Sequence, residues 1–151
     1  MAPASLADTY FSIPELMRLA RGSYKRAIDA QYADRGLDDV PNPGGYLLSY
    51  LANGEESIPE MIEGLGIRKG QYNELVDSLV LRGYITRDID PGSGRMSFAL
   101  TERGRAAAEA ILEGMRIVDR ELERRLSPAE MLGLRRGLIA LGEIKLSLPK
   151  Q

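Results

Sequence analysis

Apolar residues recur along most of the chain at the three- and four-residue spacing of one helix face. The first such pattern runs from about Ile13 to Asp34, with Leu16, Ala20, Tyr24, Ala27 and Ile28 as its apolar stripe. Shorter helical patterns follow at 44–52, 58–65 and about 69–82. A longer one begins after Thr101, and a last one runs from about 128 to 146. The chain is therefore predicted to be mainly α-helical.

Helix starts are marked by local chemistry. "SIPE" begins at Ser12 and at Ser57, and "SPAE" begins at Ser127. In each, a Ser side chain at the N-cap and a Glu three residues later satisfy each other's backbone amides, and Pro fits the first helical turn. Thr101 is expected to cap the helix that follows it, and Gly83 is expected to end the helix before it.

The stretch between those two residues breaks the helical pattern. Two short extended segments, Tyr84–Arg87 and Met96–Leu100, flank the turn sequence "DIDPGSG" and predict a β-hairpin. An isolated hairpin is marginally stable in water, so it is expected to pack on the preceding helix. The order of helix, short helix, glycine turn, helix and hairpin predicts a winged helix-turn-helix over about 42–101.

The same residues carry a family resemblance. "LVDSLVLRGYITR", the "DP" of the hairpin, "LTERGR" and "LSPAEMLGLRRGL" resemble the MarR family of bacterial transcriptional regulators over about residues 12–147. The resemblance implies a single-domain protomer, 1–151, whose helices at about 12–35 and 101–147 form a homodimer. It also implies binding to a palindromic operator and a ligand cleft between the dimer helices and the winged part. One departure is that the usual wing Asp-x-Arg is Ser93-Gly94-Arg95 here.

Composition removes several classes of chemistry. The 151 residues include no Cys and no His, which excludes disulfides, thiol redox sensing and zinc sites built on those ligands. No recognisable catalytic setting remains, so no enzyme activity, catalytic residue, metal or cofactor is expected. No apolar run is long enough to span a membrane, and the N-terminus has no secretory pattern. The protein is expected to be cytoplasmic.

The charge distribution permits a local DNA-facing surface. The net charge is −2, yet residues 66–105 carry 7 basic and 5 acidic side chains, whereas residues 1–65 carry 5 and 10. In the winged context, the polar start of the helix near 69 and the hairpin are predicted to contact base edges and phosphates. The DNA-binding candidates are Arg68, Lys69, Gln71, Asn73, Arg87 and Arg95. A solvated helix face and ordinary exposed arginines are the plainer interpretation.

A second candidate site follows from the implied cleft. Tyr offers an apolar body with a polar tip, and Arg can receive a carboxylate, so a small aromatic or anionic ligand is expected there. The ligand-binding candidates are Arg21, Tyr24, Tyr46, Tyr50 and Met115. The alternative is that the tyrosines and the methionine only fill the core.

Two functions remain open at this level. The first is a homodimeric, ligand-responsive transcriptional regulator, expected to be a repressor, whose partners are double-stranded DNA and a second copy of itself. The second is a winged-helix protein-interaction module that has lost DNA binding. The overall acidity, Glu74, Gly70 and the altered wing favour the second.

Overall fold

The computed structural model describes residues 10–42, 44–54 and 67–150. Within these ranges the chain forms five helices and one two-stranded antiparallel sheet, in agreement with the predicted fold class. In chain order the elements are α1 (Ile13–Asp34), α2 (Gly44–Ala52), α3 (Lys69–Leu81), β1 (Ile85–Ile89), β2 (Met96–Leu100), α4 (Glu102–Arg125) and α5 (Pro128–Ser147). The helix predicted at 58–65, with its cap at Ser57, lies outside the described residues.

The predicted helix starts are formed by the expected side chains. Ser12 and Ser127 each accept from the amide three residues on, and Glu15 and Glu130 each accept from the cap's own amide. The Thr101 hydroxyl accepts from the Gly104 amide at 3.0 Å. These caps confirm that local sequence sets where α1, α4 and α5 begin.

The hairpin differs from the sequence prediction at its first strand. Strand β1 begins at Ile85 and extends to Ile89, because Asp88 and Ile89 still pair with Ser97 and Met96 across the sheet. Tyr84 is not a strand residue, since its amide donates to the Leu79 carbonyl at 2.9 Å and so closes the end of α3. Strand β2 has the predicted bounds.

The core joins the winged part of the chain to α4. Its fully buried large side chains are Leu48 of α2, Leu79 of α3, Tyr84, and Ile85 of β1. Ala107 and Ile111 of α4 are buried in the same cluster. Gly104 and Gly114 permit close approach, because a Cβ there would meet the Tyr84 backbone and the Ile28 backbone respectively.

Two compact units can be distinguished, Met1–Met115 and Arg116–Gln151, with the boundary inside α4. Helix α1 in the first unit and α5 in the second contain no buried residue in the single chain. Instead, both expose large apolar side chains, among them Ile13, Leu16 and Leu19 of α1 and Leu132, Leu138 and Ile144 of α5. In the described residues, no helix is both long and apolar enough to cross a membrane.

Candidate functional site

The N-terminal end of α3 presents a polar, cationic surface. Arg68 is the N-cap residue, in an extended conformation, and Lys69 opens the helix. The opposite side of the helix buries Leu75, Val76 and Leu79, so the burial of this face fixes which side chains point outward. All four candidates on this helix start are exposed, namely Arg68, Lys69, Gln71 and Asn73.

Two cations at a helix N-terminus are electrostatically unfavourable for the helix itself. The macrodipole places partial positive charge there, and the first turn of α3 contains no acidic residue. The exposed amides of the same turn are ready donors to an anion. An anion placed there would reduce this unfavourable charge, because the first amides of a helix have no partner within it.

Gln71 has a structural task that the sequence did not reveal. Its side-chain oxygen accepts from the Arg68 amide at 3.4 Å and closes the first turn. The side-chain amide group keeps its two donors, but recognition of adenine by Gln needs the oxygen as well. Gln71 would have to leave the cap to read adenine, whereas Asn73 makes no such contact with the described part of the chain.

Arg87 on β1 pairs with Asp77 on α3. The Arg87 Nη2 to Asp77 Oδ1 distance is 2.6 Å, and the arginine side chain is the more buried of the two. The pair joins the hairpin to α3 in addition to the apolar contacts of the core. Because the Arg87 guanidinium is already paired with Asp77, it is less available to a phosphate. The position of Arg87 therefore also suits a structural role, in which the ion pair holds the hairpin against α3.

The turn of the hairpin is organised by an acid at a different position from that of the family pattern. Asp90 accepts from the Ser93 hydroxyl at 2.7 Å and from the Gly92 amide at 3.1 Å. Both hydrogen bonds lower the pKa of Asp90, and the bond from Ser93 has the larger effect. Gly94 adopts a φ of +69°, which only glycine tolerates well. Arg95 is exposed, and its guanidinium bonds no side chain in the described part of the chain. The Asp90 side chain thus organises the turn without bonding the Arg95 side chain.

A polar cluster centred on Asp39 lies where the winged part meets α4. The Asp39 carboxylate accepts from the Tyr84 hydroxyl and, at 2.7 Å, from Arg103 Nη2, while its carbonyl accepts from Arg82. The Arg103 guanidinium also lies over the Tyr84 ring, with 4.8 Å from its carbon to the ring centroid. The hydrogen bond from Tyr84 and the charge of Arg103 lower the pKa of Asp39. Burial, followed by the bond to Asp39, raises the pKa of Tyr84 to about 12.

A cavity of about 1120 Å³ lies within the first unit. Its walls come from α1, from the loop between α1 and α2, from the start of α2, and from Ile111 and Met115 of α4. This volume is slightly above the usual range of small-molecule sites, about 300–1,000 Å³. The cavity is therefore large enough for a molecule with several fused rings.

Four of the five ligand-binding candidates line this cavity, namely Arg21, Tyr24, Tyr46 and Met115. The fifth, Tyr50, packs against the hydrophobic core instead. Among the described residues neither Arg18 nor Arg21 pairs with an acid, whereas Lys25, also at the cavity, bonds Asp29 at 2.5 Å. Asp38 brings a further carboxylate to the wall.

Sequence reasoning missed several polar residues of the wall, among them Arg18 and Tyr32. Arg18 precedes Arg21 by three residues and Tyr32 follows Tyr24 by eight, so helical spacing places each on the same face as a predicted residue. That spacing was the available signal. Burial raises the pKa of Tyr32, which keeps its hydroxyl protonated and able to donate to a ligand.

Comparison with solved structures identifies the architecture. The structure of the S. aureus MepR–DNA complex matches with a TM-score of 0.71 at 20% identity, over 88% of this chain and 96% of that one. The chain has the MarR winged-helix fold. The MarR family transcription regulator SP03579 matches with a TM-score of 0.69 at 17% identity, over 89% of this chain and 85% of that one. The oxidised form of MarR from E. coli matches with a TM-score of 0.62 at 20% identity, over 90% and 98%.

A further structure of MepR, bound to ethidium bromide, matches with a TM-score of 0.53 at 20% identity, over 88% of this chain and 96% of that one. No protein-family model matches the sequence, and no curated protein matches it. The matched structures are those of transcription regulators of the MarR family.

Proposed function

We propose that this chain is a MarR-type transcriptional regulator that binds a palindromic DNA operator as a homodimer and acts as a ligand-responsive repressor. The observation that carries the proposal is the cationic start of α3 beside a hairpin whose turn presents the exposed Arg95. In winged helix-turn-helix proteins, such a helix enters the major groove and the wing reaches the flanking backbone or minor groove. A relative of the same fold, MepR, forms a complex with DNA.

The exposed apolar side chains of α1 and α5 support the homodimer. Helix α5 buries no residue in the single chain, and its apolar residues Leu138 and Ile139 are 49% and 57% exposed. Exposed apolar patches of this kind mark interfaces in soluble proteins. Sedimentation equilibrium should give a dimer, and Leu138→Arg should shift it towards monomer, whereas Arg136→Ala on the same helix should not. A monomeric wild-type protein at micromolar concentration would contradict the dimer.

The cavity supports a ligand with an aromatic body and an anionic group. Tyr24, Tyr32 and Tyr46 supply ring faces and hydroxyls, and Arg18 and Arg21 supply cationic donors. A bound ligand lowers DNA affinity only to the extent that it binds the DNA-incompetent conformation more tightly. A thermal-shift screen of aromatic carboxylates and their uncharged amides should favour the carboxylates, and Arg21→Ala should remove that preference.

The test of DNA binding is selection from a pool of random duplexes at moderate salt, followed by affinity measurement on the enriched sequence. Lys69→Ala and Arg95→Ala should weaken binding, and Lys69→Ala should reduce the salt dependence by about one counterion. Asn73→Ala should cost about 1–3 kcal/mol and relax one base preference. Arg26→Ala, the same charge change on α1, is the control and should have little effect.

A protein-interaction module is the second candidate, and specific carboxylates favour it. Glu74 on α3 and Asp88 and Asp90 on the hairpin are exposed and would repel phosphates. If a folded dimer enriches no duplex even at low salt, this second function replaces the first. A steep fall of affinity with salt would exclude it, because phosphate contacts release counterions.

A further inference from the structure

The loop between α1 and α2 has two sides with different contacts. Five of the six residues in its segment 37–42 line the cavity, namely Leu37, Asp38, Val40, Pro41 and Asn42. The remaining residue of that segment, Asp39, does not line the cavity and bonds Tyr84, Arg82 and Arg103 instead. One short segment therefore forms a cavity wall and an anchor of the winged part at the same time.

The partners of Asp39 all lie at the junction of α3, the hairpin and α4. Arg82 is the C-cap residue of α3, Tyr84 directly precedes β1, and Arg103 is in the first turn of α4. They are separated from Asp39 by 43 to 64 residues along the chain. Asp39 thus connects the cavity wall to residues 84–87, the start of the hairpin, which we call the root of the wing.

The junction itself is rigid. The Tyr84 side chain is fully buried, and the Tyr84 carbonyl accepts from the Thr101 amide at 3.1 Å. Close packing leaves such a residue few alternative positions. The hydrogen bonds to Asp39 involve a carboxylate and a guanidinium, and bonds of this charge-assisted type are about twice as strong as neutral ones. A displaced loop must either break these bonds or move the root of the wing with it.

We propose that Asp39 is the residue through which occupancy of the cavity controls the winged part. An occupant displaces the loop 37–42, and the hydrogen bonds of Asp39 pass that displacement to the end of α3 and the start of β1. The change in DNA affinity follows from the altered placement of α3, so this inference rests on the DNA-binding function proposed above. Asp39 is a positioning residue and contacts neither the ligand nor the DNA.

The absence of cysteine from the sequence allows the cavity to be filled without knowing the natural ligand. Ala33 lines the cavity near the loop, so Ala33→Cys alkylated with N-phenylmaleimide places an aromatic ring there. Ala30→Cys is the matched control, because Ala30 is exposed on the same helix and does not line the cavity. Mass spectrometry establishes complete labelling of both proteins.

Two readouts are taken before and after labelling. The first is the affinity for the selected operator, and the second is amide hydrogen exchange at residues 84–87, which needs no DNA. Labelling of Ala33→Cys should lower operator affinity about tenfold and speed exchange at the root of the wing, a coupling of ordinary size. Labelling of Ala30→Cys should change neither readout by more than about twofold.

The role of Asp39 is tested by repeating the labelling in the Asp39→Asn and Tyr84→Phe backgrounds. The effect of labelling Ala33→Cys should shrink to less than about threefold in each, because the connection is weakened while the cavity is still filled. Tyr84→Phe removes only a hydroxyl and keeps the test valid if Asp39→Asn does not fold. An undiminished effect in both backgrounds would overturn the proposal, as would unchanged exchange in the labelled Ala33→Cys protein. If no variant binds DNA but exchange responds through Asp39, the DNA-binding function fails and the connection stands.

Discussion

Replacing Gly104 with alanine should lower the free energy of unfolding by about 2 kcal/mol. Gly104 is the third residue of α4, and a Cβ there would lie well inside van der Waals contact with the Tyr84 carbonyl oxygen. The same Cβ would lie 3.0 Å from the Tyr84 carbonyl carbon and 3.1 Å from Leu100 Cδ2. The carbonyl would have to retreat by roughly 1 Å. It cannot do so freely, because it accepts from the amide and the hydroxyl of Thr101, each at 3.1 Å.

Three effects set the magnitude. Overpacking of this kind costs about 1–3 kcal/mol, and disturbing the Thr101 cap costs about 1 kcal/mol more. The alanine itself stabilises the helix by up to about 1 kcal/mol, because it is a better helix former than glycine. The net destabilisation is therefore about 2 kcal/mol, which corresponds to a fall in Tm of about 4–8 °C for a chain of this length.

Urea unfolding followed by far-ultraviolet circular dichroism measures this change. The protein concentration is held fixed, because the stability of a dimer depends on it. Gly22→Ala in α1 is the control, since nothing lies within 4 Å of its Cβ position, and it should raise stability by up to about 1 kcal/mol. A Gly104→Ala protein with the wild-type midpoint and an unchanged m-value would refute the steric reasoning.

Three further predictions concern the hairpin, the Asp39 cluster and α3. Asp77→Asn removes a negative charge near the proposed DNA-binding surface, yet it should weaken binding to the selected operator a few-fold, because Arg87 then no longer holds the hairpin against α3; tighter binding in a filter or anisotropy assay would show that Arg87 acts only on phosphate. The pKa of Tyr84 is about 12 in the folded chain and about 10 in the unfolded one, so its neutral form contributes stability below pH 10 that is lost as pH rises towards 12. Tyr84→Phe should therefore lose less stability than wild type between pH 10 and 12 in urea titrations, and equal losses would contradict this. Gly70→Ala should stabilise the free protein by up to about 1 kcal/mol, because open space surrounds its Cβ position, and a lower urea midpoint would count against a regular first turn in α3.

The amino-acid sequence determined the helix starts and the fold class. A cap needs only a side chain and the amides of the next turn, so Ser12, Thr101 and Ser127 could be assigned from a few neighbouring residues. The hairpin was predictable for the same reason, since its turn residues are contiguous. Its first strand was placed too early at Tyr84 because that residue closes α3 and turns its side chain towards Asp39.

The tertiary structure decided which of these residues meet. Positions 38 and 39 are two adjacent aspartates. The neighbouring sequence does not indicate that Asp38 lines the cavity while Asp39 bonds Tyr84 and Arg103. Likewise, Tyr46 and Tyr50 are equally plausible ligand contacts in sequence, but Tyr50 packs against the core. Such choices depend on residues far apart in the chain, because only the folded backbone brings their side chains within bonding distance. The sequence thus determined the elements of this protein, and long-range packing determined the connection from its cavity to its wing.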